Sequence, residues 1–247
     1  MAAQTTVLIT GGNSGFGYAV AEELASDDTK HILLGCRSAE KGKRAVAELQ
    51  KQAQAKVDYV QLDVTDEKSI AAAVSEVGEI YDRLDILVNN AATLDQVQES
   101  LGLQLASCFQ TNSTGVALAV DAFLPLLKKS SNVARIINIS SGAGSLRRRV
   151  NQGPNAKVVG MQGVAYAASK AALNMITLAQ AKAYGGDALK VFVYTPGFVI
   201  SNLSTLNTAE NGAKSPKDGA LGLAKVINGE RDGEHGGFLS ESGQYEW

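Results

Sequence analysis

Tyr166 and Lys170 are the two residues of this sequence whose types and spacing are best suited to proton transfer. The run from Ala165 to Ala183 is rich in helix-forming residues, and residues four apart on a helix share one face. A free phenol has a pKa of about 10, so acid or base chemistry near neutrality would require a fall of roughly three units, or about 4 kcal/mol. A fixed ammonium one turn away can supply part of that free energy. Such a pair can also lie on a solvated helix face without any catalytic role. Motifs elsewhere in the chain are needed to distinguish the two interpretations.

Length, composition and charge limit the classes of protein that this chain can be. With 247 residues, 45% of them hydrophobic and 19% charged, the chain can bury a sizeable core and fits one α/β domain. The formal net charge of −2 provides no positive field, so neither nucleic acid nor a membrane is an expected partner. The first residues lack a signal-peptide pattern, and the longest apolar helix candidate, 116–127, is too short to span a bilayer. We therefore expect a soluble, cytoplasmic protein.

The sequence holds few residues that could bind a transition metal or form disulfides. Cys36 and Cys108 are too few and too scattered for either purpose, and His31 and His235 do not cluster with them. We expect no metal and interpret both cysteines as small apolar core residues.

Short apolar runs alternate with longer helical segments along the chain. This alternation predicts a doubly wound α/β domain whose parallel sheet of about seven strands is covered on both faces. The ligand site of such a sheet lies beyond the carboxyl ends of its strands. The predicted strands are 6–10, 31–36, 57–62, 84–89, 135–139, 190–194 and 237–240, and the predicted helices are 18–25, 39–53, 67–81, about 98–129, one that contains Tyr166, and one that begins at Ser215 and Pro216.

A glycine-rich turn follows the first predicted strand. Gly11, Gly15 and Gly17 permit a tight turn and close backbone approach, and the next helix directs its free N–H groups at this turn. The spacing is Gly-x-x-x-Gly-x-Gly rather than the commoner Gly-x-Gly-x-x-Gly, but it serves the same geometry. A glycine cluster can be only a turn, yet its place between a buried strand and an amphipathic helix favours a dinucleotide pyrophosphate. The candidate contacts are Gly11, Asn13, Ser14, Gly15, Phe16 and Gly17.

The end of the second predicted strand indicates which dinucleotide binds. An acid about 20 residues beyond the glycines binds the ribose hydroxyls of NAD(H), whereas the phosphorylated ribose of NADP(H) needs a cation. Arg37 occupies this position, and Ser38 can add a hydrogen bond. An arginine can also simply open a helix, but no acid precedes it in the strand end, which favours NADP(H).

Several motifs together resemble the short-chain dehydrogenase/reductase family over nearly the whole chain. These motifs are residues 10–17, Asp63-Val64, Asn89-Asn90-Ala91-Ala92, Asn112, Ile139-Ser140-Ser141, Tyr166-x-x-x-Lys170 and Pro196-Gly197. The resemblance implies one Rossmann-type domain over residues 1–247 that interconverts carbonyl compounds and alcohols with NADP(H). It is most similar to the carbonyl reductases and ketoreductases of that family, whose substrates are small carbonyl compounds.

The resemblance also implies a four-member catalytic site of Asn112, Ser141, Tyr166 and Lys170. Tyr166 would donate a proton to the carbonyl oxygen as hydride reaches the carbon, and Ser141 would hydrogen-bond that oxygen. Lys170 would hold the nicotinamide ribose and lower the pKa of Tyr166, and Asn112 would fix a water that links Lys170 to solvent. Ser141 is preferred to Ser140 because the family's serine is the second of the pair and because neighbouring strand residues face opposite ways.

Further cofactor contacts are carried over by the same resemblance. Asp63 would contact the adenine, Asn90 would lie beside the ribose, and Asn89 could be structural and bond a nearby backbone. The backbone of Val199 would meet the carboxamide, and Ser201 stands where the family often has threonine. The implied positions in this part of the chain are Asp63, Val64, Asn90, Ala91, Pro196, Gly197, Val199 and Ser201.

Two segments near the candidate site extend a minimal domain. The gap between Ser141 and Tyr166 exceeds the family's ordinary one, which predicts an insertion over about 142–163 that includes Arg147 to Arg149. By the resemblance, this insertion favours a monomer or homodimer over a tetramer. The arginines fit either an anionic substrate or a solvated face. The polar segment at about 198–214 is the candidate substrate lid.

Two other functions can be compared with the same residues. A serine hydrolase is disfavoured because the sequence has no Gly-x-Ser-x-Gly elbow. A non-catalytic NADP(H)-binding sensor or interaction protein would keep the glycine turn and stays the alternative. The candidate pocket residues, which suggest a moderately large apolar or aromatic substrate, are Leu94, Leu146, Val158, Met161 and Phe198. Trp247 either packs near the site or, as we favour, covers a hydrophobic patch.

Overall fold

A central sheet organises the protein. The computed structural model describes residues 4–94, 100–151 and 163–247. Within these residues the strands are β1 (Thr5–Thr10), β2 (Lys30–Cys36), β3 (Lys56–Gln61), β4 (Ile86–Asn89), β5 (Ala134–Ile139), β6 (Leu189–Tyr194), β7 (Phe238–Ser240) and β8 (Gly243–Gln244). Their order in the sheet is β3-β2-β1-β4-β5-β6-β7-β8; all pair in parallel except β8, which is antiparallel to β7. The strand order reverses between β1 and β4, so a ligand crevice is expected at their carboxyl ends.

Helices cover both faces of this sheet. They are α1 (Gly15–Leu24), α2 (Ala39–Leu49), α3 (Glu67–Tyr81), α4 (Leu101–Phe109), α5 (Gly115–Leu127), α6 (Leu146–Asn151), α7 (Val164–Tyr184) and α8 (Pro216–Ile227). A hydrophobic core lies on each face of the sheet, and successive residues of a strand point into opposite cores. Ile9 thus packs with α1, α2 and α8, whereas Leu8 packs with α3, α5 and α7. The predicted doubly wound fold is therefore confirmed.

The structure differs from the sequence prediction mainly at element ends. The first helix begins at Gly15 rather than residue 18, because the glycines of the turn join the helix, and the second ends at Leu49 rather than residue 53. The helical region predicted over about 98–129 divides into α4, a π-helical turn at Gln110–Thr114, and α5. β8 went unpredicted, since a strand of two residues has no detectable periodicity.

Candidate active site

The glycine-rich turn lies between β1 and α1, at the carboxyl edge of the sheet. Gly11 and Gly15 have φ angles of 65° and 57°, a left-handed region in which a side chain would be strained. The backbone N–H groups of Gly11 and Gly12 both donate to the carbonyl oxygen of Gly35, at 2.8 and 3.3 Å. The turn therefore requires glycine and is held against the end of β2.

The amino end of α1 is suited to an anion. Ser14 is the N-cap residue, but its side chain makes no capping hydrogen bond, and the first turn of α1 contains no acidic residue. The helix dipole and the uncapped N–H groups of this turn therefore favour a phosphate beside Gly15. Among the described residues outside the adjoining turn of the helix, the nearest atom to a Cβ built at Gly15 is Ser201 Cβ, at 3.7 Å, so the backbone there is open to close approach. These residues fit the pyrophosphate of a dinucleotide.

Asn90 braces the glycine turn. Its backbone N–H donates to Thr10 Oγ1 at 2.9 Å, and its Nδ2 donates to the Thr10 carbonyl oxygen at 2.8 Å. A methyl group at Gly17 would overlap Asn90 Nδ2, so glycine is needed there for packing. The expectation that Asn89 bonds a nearby backbone was wrong, because Asn89 Nδ2 donates to Asn138 Oδ1 at 2.8 Å, while Asn90 makes the backbone bond.

The residues predicted to bind the adenosine half of the cofactor follow β2 and β3, and those after β2 were predicted to distinguish NADP(H) from NAD(H). Arg37 is exposed, and no ion pair or hydrogen bond engages its guanidinium in the part of the chain described. The Ser38 hydroxyl accepts a hydrogen bond from the Lys41 N–H at 3.3 Å as the N-cap of α2, which leaves its own hydrogen to donate. Asp63 Oδ1 accepts from the backbone and hydroxyl of Thr65. Arg37 therefore presents a charge that no described residue pairs with.

Two of the predicted cofactor positions are partly or fully interior. Val64 is buried and packs in the core on the face of α3 and α5, so its side chain is not available to a ligand. The Ala91 N–H donates to Thr10 Oγ1 at 2.9 Å, which makes Ala91 part of the same brace as Asn90. Val64 and Ala91 therefore support the site through core packing and a hydrogen bond to Thr10.

Tyr166 and Lys170 meet near the end of β5. Lys170 Nζ lies 5.8 Å from the centroid of the Tyr166 ring, as the helical spacing predicted. The Lys170 side chain is only 2% exposed, and its Nζ donates to the Ile139 carbonyl oxygen at 2.8 Å. The Ser141 side chain lies close enough to the Tyr166 phenol to lower its pKa. Phenol, hydroxyl and amine therefore converge at the carboxyl edge of the sheet.

The pKa values of this cluster differ from the sequence expectation. Burial raises the pKa of Tyr166 to about 12, although the hydrogen bond with Ser141 lowers it, and the Cys108 thiol raises it further. Burial lowers the pKa of Lys170 to about 7, and Cys108 acts in the opposite direction. Lys170 is not among the groups that shift the Tyr166 pKa, contrary to the expected depression, because the ammonium is itself disfavoured by desolvation. At neutral pH the phenol keeps its proton.

The two serines after β5 face opposite sides. Ser140 is buried, and its hydroxyl donates to Asn174 Oδ1 at 2.6 Å. Ser141 faces Tyr166, and its Oγ also accepts a hydrogen bond from the Ala143 N–H at 3.1 Å. Only Ser141 is thus placed to contact a substrate oxygen beside Tyr166.

Asn112 links the end of β4 to the catalytic-candidate helix α7. It lies in the π-helical turn and is fully buried. Its Oδ1 accepts from the Thr93 N–H at 2.8 Å, and its Nδ2 donates to the Thr93 carbonyl oxygen at 2.8 Å and to Ser169 Oγ at 2.9 Å. Both amide hydrogens are therefore used by the protein and neither is left for a water.

Ser169 and Asn174 were missed by the sequence interpretation. The Ser169 hydroxyl donates to the Tyr166 carbonyl oxygen at 2.7 Å, so Asn112 reaches Tyr166 through one intervening side chain. Asn174 fixes Ser140 and donates to the Gly144 carbonyl oxygen at 3.2 Å. A detectable signal existed, since small polar residues recur on the buried face of an otherwise apolar helix.

The segment after β6 closes over the same edge. Gly197 has a φ of 79°, and Val199 forms a bridge with Lys214 that closes the base of the segment. A cavity of about 360 Å³ lies within it, lined mainly by hydroxyl and amide side chains such as Ser201 and Asn207. Pro196 is buried, and Phe198 is 45% exposed. This segment therefore provides one wall beside the glycine turn.

The insertion is described only in part. Its first residues form α6, on which Leu146 and the arginines 147–149 are exposed. Val158 and Met161, two of the predicted pocket residues, lie outside the described residues, and Leu94 is partly buried.

In the described ranges no group of three or more His, Cys, Asp or Glu side chains could hold a metal ion. None of the helices described combines the length and apolarity needed to cross a membrane.

Fold and site together define a dinucleotide-binding α/β protein whose site carries a phenol, a hydroxyl and an amine. The sequence matches the family model described as short chain dehydrogenase over residues 5–212. The short-chain dehydrogenase/reductase tropE of Talaromyces stipitatus is 32% identical over 256 residues, covering 96% of each chain. The chain belongs to the short-chain dehydrogenase/reductase family and is an oxidoreductase.

Carbonyl reductases are among its relatives. Carbonyl reductase (NADPH) 1 of Bos taurus is 25% identical over 278 residues, covering 97% of each chain. The crystal structure of NADPH-bound carbonyl reductase from chicken fatty liver superposes with a TM-score of 0.83 and 32% identity, covering 99% of this chain and 100% of that one. The family resemblance and the fold predicted from the sequence are both confirmed.

Proposed function

We propose that this protein reduces a small-molecule ketone or aldehyde with NADPH, and that Tyr166 donates the proton to the carbonyl oxygen. The observation that carries this proposal is the convergence of Tyr166, Ser141 and Lys170 at the carboxyl end of β5, on the same edge of the sheet as the glycine turn. A carbonyl group that is reduced develops negative charge on oxygen, so two hydroxyl donors on one side of it are chemically matched to the reaction.

A proton donor must carry its proton before the reaction, and Tyr166 meets this condition at neutral pH. When bound, NADPH supplies the hydride for the carbonyl carbon. The pKa of Tyr166, raised to about 12 by burial, keeps its proton in place at neutral pH, so the phenol is ready to donate it to the oxygen. Ser141, whose side chain lies beside the Tyr166 phenol, would orient the same oxygen and stabilise its developing charge. These roles need no general base at the start of the reaction.

Lys170 and Asn112 would support the donor. Lys170, whose Nζ lies 2.8 Å from the Ile139 carbonyl oxygen, would hold the nicotinamide ribose. Asn112 would position Tyr166 through Ser169, because its amide hydrogens are committed to protein acceptors. In this proposal the water that links Lys170 to solvent would be bound by backbone groups near Asn112.

Arg37 is the basis for proposing NADPH over NADH. Its guanidinium lies at the carboxyl end of β2 without a protein partner in the described ranges, where a 2′-phosphate would be bound. The bovine relative is named for NADPH, and the chicken structure contains NADPH, which supports the same choice here. Asp63 and the backbone of Val199 would complete the adenine and carboxamide contacts.

The substrate proposal rests on the two segments that border the site. The segment 198–214 would act as the lid, and Phe198, which is exposed on it, would contact an apolar or aromatic part of the substrate. We also propose a cytoplasmic protein that is a monomer or homodimer rather than a tetramer. Sedimentation velocity of the purified protein tests the oligomeric state, and imaging of the tagged protein tests its location.

NADPH oxidation across a panel of quinones, diketones, aldehydes and polyketide-like ketones tests the function. We expect Tyr166→Phe to lower kcat by about 10²–10⁴-fold, the range of general acid catalysis, while NADPH binding persists. Tyr184→Phe, at the far end of the same helix, is the matched control and should retain activity. Equal turnover by wild type and Tyr166→Phe would exclude Tyr166 as the proton donor. NADPH binding without turnover of any compound would favour the sensor alternative.

A further inference from the structure

A hairpin at the end of the sheet contacts two segments beside the candidate active site. β7 and β8 pair antiparallel, with Leu239 opposite Gln244, and Glu241 lies in the turn between them. The chain then continues through Tyr245 to Trp247. Residues 241–247 are called the tail strap below.

Phe238 anchors the tail strap. The Phe238 ring is buried, and its centroid lies 4.9 Å from that of Tyr245 and 5.3 Å from that of Trp247. The Tyr245 N–H donates to the Phe238 carbonyl oxygen at 2.6 Å, and Arg231 Nη1 donates to the Ser240 carbonyl oxygen at 2.6 Å. Trp247 therefore covers an apolar residue. The ring contacts of Phe238 and these hydrogen bonds hold the tail strap on the sheet independently of the contacts that its polar side chains make.

One end of the tail strap holds the loop that follows the candidate catalytic serine. Arg148 Nη1 donates to the Tyr245 hydroxyl, and the Arg147 N–H donates to the Trp247 carbonyl oxygen at 2.8 Å. A methyl group at Gly142 would overlap the Tyr245 hydroxyl, so the strap lies directly against that loop. Tyr245 therefore lies against the residue next to the serine.

The other end holds the candidate lid. Glu241 forms an ion pair with Lys214, and both groups are about half exposed or less. The Lys214 N–H donates to the Phe198 carbonyl oxygen at 3.0 Å, and the Ile200 N–H donates to the Lys214 carbonyl oxygen at 3.0 Å. Glu241 therefore contacts the residue at which the two ends of the lid are joined.

We propose that Tyr245 and Glu241 are positioning residues that set the separation between the loop 142–149 and the lid 198–214, and so select the size of carbonyl compound that reaches Tyr166. The size selection rests on the proposed function, whereas the positioning does not. Among the described residues, neither Tyr245 nor Glu241 forms a hydrogen bond or an ion pair with Tyr166 or Lys170, so both act through the segments they hold.

The outer contacts of the strap suit such a local role. A partly exposed ion pair contributes little to global stability. The contacts of Phe238 with Tyr245 and Trp247 are made by aromatic rings and backbone atoms. They therefore do not depend on the Tyr245 hydroxyl or the Glu241 carboxylate. Loss of either polar contact is therefore expected to loosen one segment without unfolding the domain.

Hydrogen–deuterium exchange of the protein alone tests the positioning. In Tyr245→Phe we expect faster exchange in peptides from 142–151, and in Glu241→Ala faster exchange in peptides from 198–214. Tyr81→Phe and Glu48→Ala are matched controls, because they remove a tyrosine hydroxyl bond to Asp58 and a surface bond to Lys51, away from the site. Exchange equal to wild type in both strap variants would overturn the proposal, whether or not the protein reduces any carbonyl compound.

Steady-state kinetics with 2,3-butanedione and menadione tests the size selection. In both strap variants we expect the KM of the small dione to rise about three- to tenfold, the loss typical of one hydrogen bond, with kcat within about twofold. The KM of the bulky quinone should change less, so the ratio of kcat/KM values shifts toward menadione. A fall of kcat with unchanged KM, or equal changes for both compounds, would contradict the size selection.

Discussion

The Ser140 hydroxyl donates a hydrogen bond to Asn174 Oδ1 at 2.6 Å, which turns Ser140 into the core and leaves its neighbour Ser141 facing Tyr166. Two adjacent residues of the same type therefore have different roles, one in stability and one beside the candidate proton donor. This difference separates effects on folding from effects on catalysis at neighbouring positions.

The serine pair gives the first prediction. Ser141→Ala should lower kcat by about 10²–10³-fold, as expected for loss of one donor to a developing oxyanion, with little change in the free energy of unfolding. Ser140→Ala should lower that free energy by about 1–3 kcal/mol, because Asn174 loses its buried partner, and should change kcat less. Urea denaturation and NADPH oxidation measure the two quantities. The reverse pattern would assign the substrate contact to Ser140.

Gly17 gives a prediction about the cofactor site. In Gly17→Ala the added methyl group would overlap Asn90 Nδ2, so we expect the glycine turn to shift and the protein to lose about 1–3 kcal/mol of stability, typical of overpacking. NADPH binding, followed by its fluorescence, should weaken as well. Gly186→Ala is the control, since a Cβ there meets no atom within 4 Å. Unchanged binding in Gly17→Ala would show that the Asn90 brace does not support the cofactor.

Arg37 gives a prediction about cofactor choice. Arg37→Glu should lower the preference for NADPH over NADH by about 10–150-fold, the loss expected when a charged hydrogen-bonding partner is removed. The stability should change little, because the guanidinium is exposed and bonds no group in the described chain. Arg44→Glu, an exposed arginine on α2, is the control. The ratio of kcat/KM values for the two cofactors measures the effect, and activity with NADH alone in the wild type would refute the assignment.

Lys170 gives a prediction about pH. Its pKa falls from 10.5 to about 7 through burial, so between these values the unfolded chain holds a proton that the folded protein has lost. This group therefore makes the free energy of unfolding rise with pH over that window, by at most about 1.4 kcal/mol per pH unit. Below the window, the folded protein bears the full free-energy cost of burying the charged amine. Lys170→Met should lack this rise.

Urea denaturation of wild type and Lys170→Met at pH about 6 and about 9 measures the difference in slope. We expect the stability advantage of Lys170→Met over wild type to be larger at the lower pH. Lys182→Met, an exposed position on the same helix, should instead follow the wild-type slope. Parallel curves for all three proteins would show that Lys170 stays protonated when folded.

Local pattern determined much of this protein from the sequence alone. The alternation of apolar strands with helices predicted the doubly wound fold, because each element reports its own periodicity through residues that are close in the chain. The glycine turn and the Tyr166 and Lys170 pair were predicted for the same reason, since turn geometry and helical spacing depend on neighbours.

Only the tertiary structure decided how these parts act together. The hydrogen bond of Asn112 to Ser169, the choice of Asn90 over Asn89 as the backbone brace, and the contacts of the tail strap join residues far apart in sequence. The raised pKa of Tyr166 likewise depends on burial by several elements. Distances across the fold and loss of solvent are produced by packing, and no local pattern of residue types encodes them.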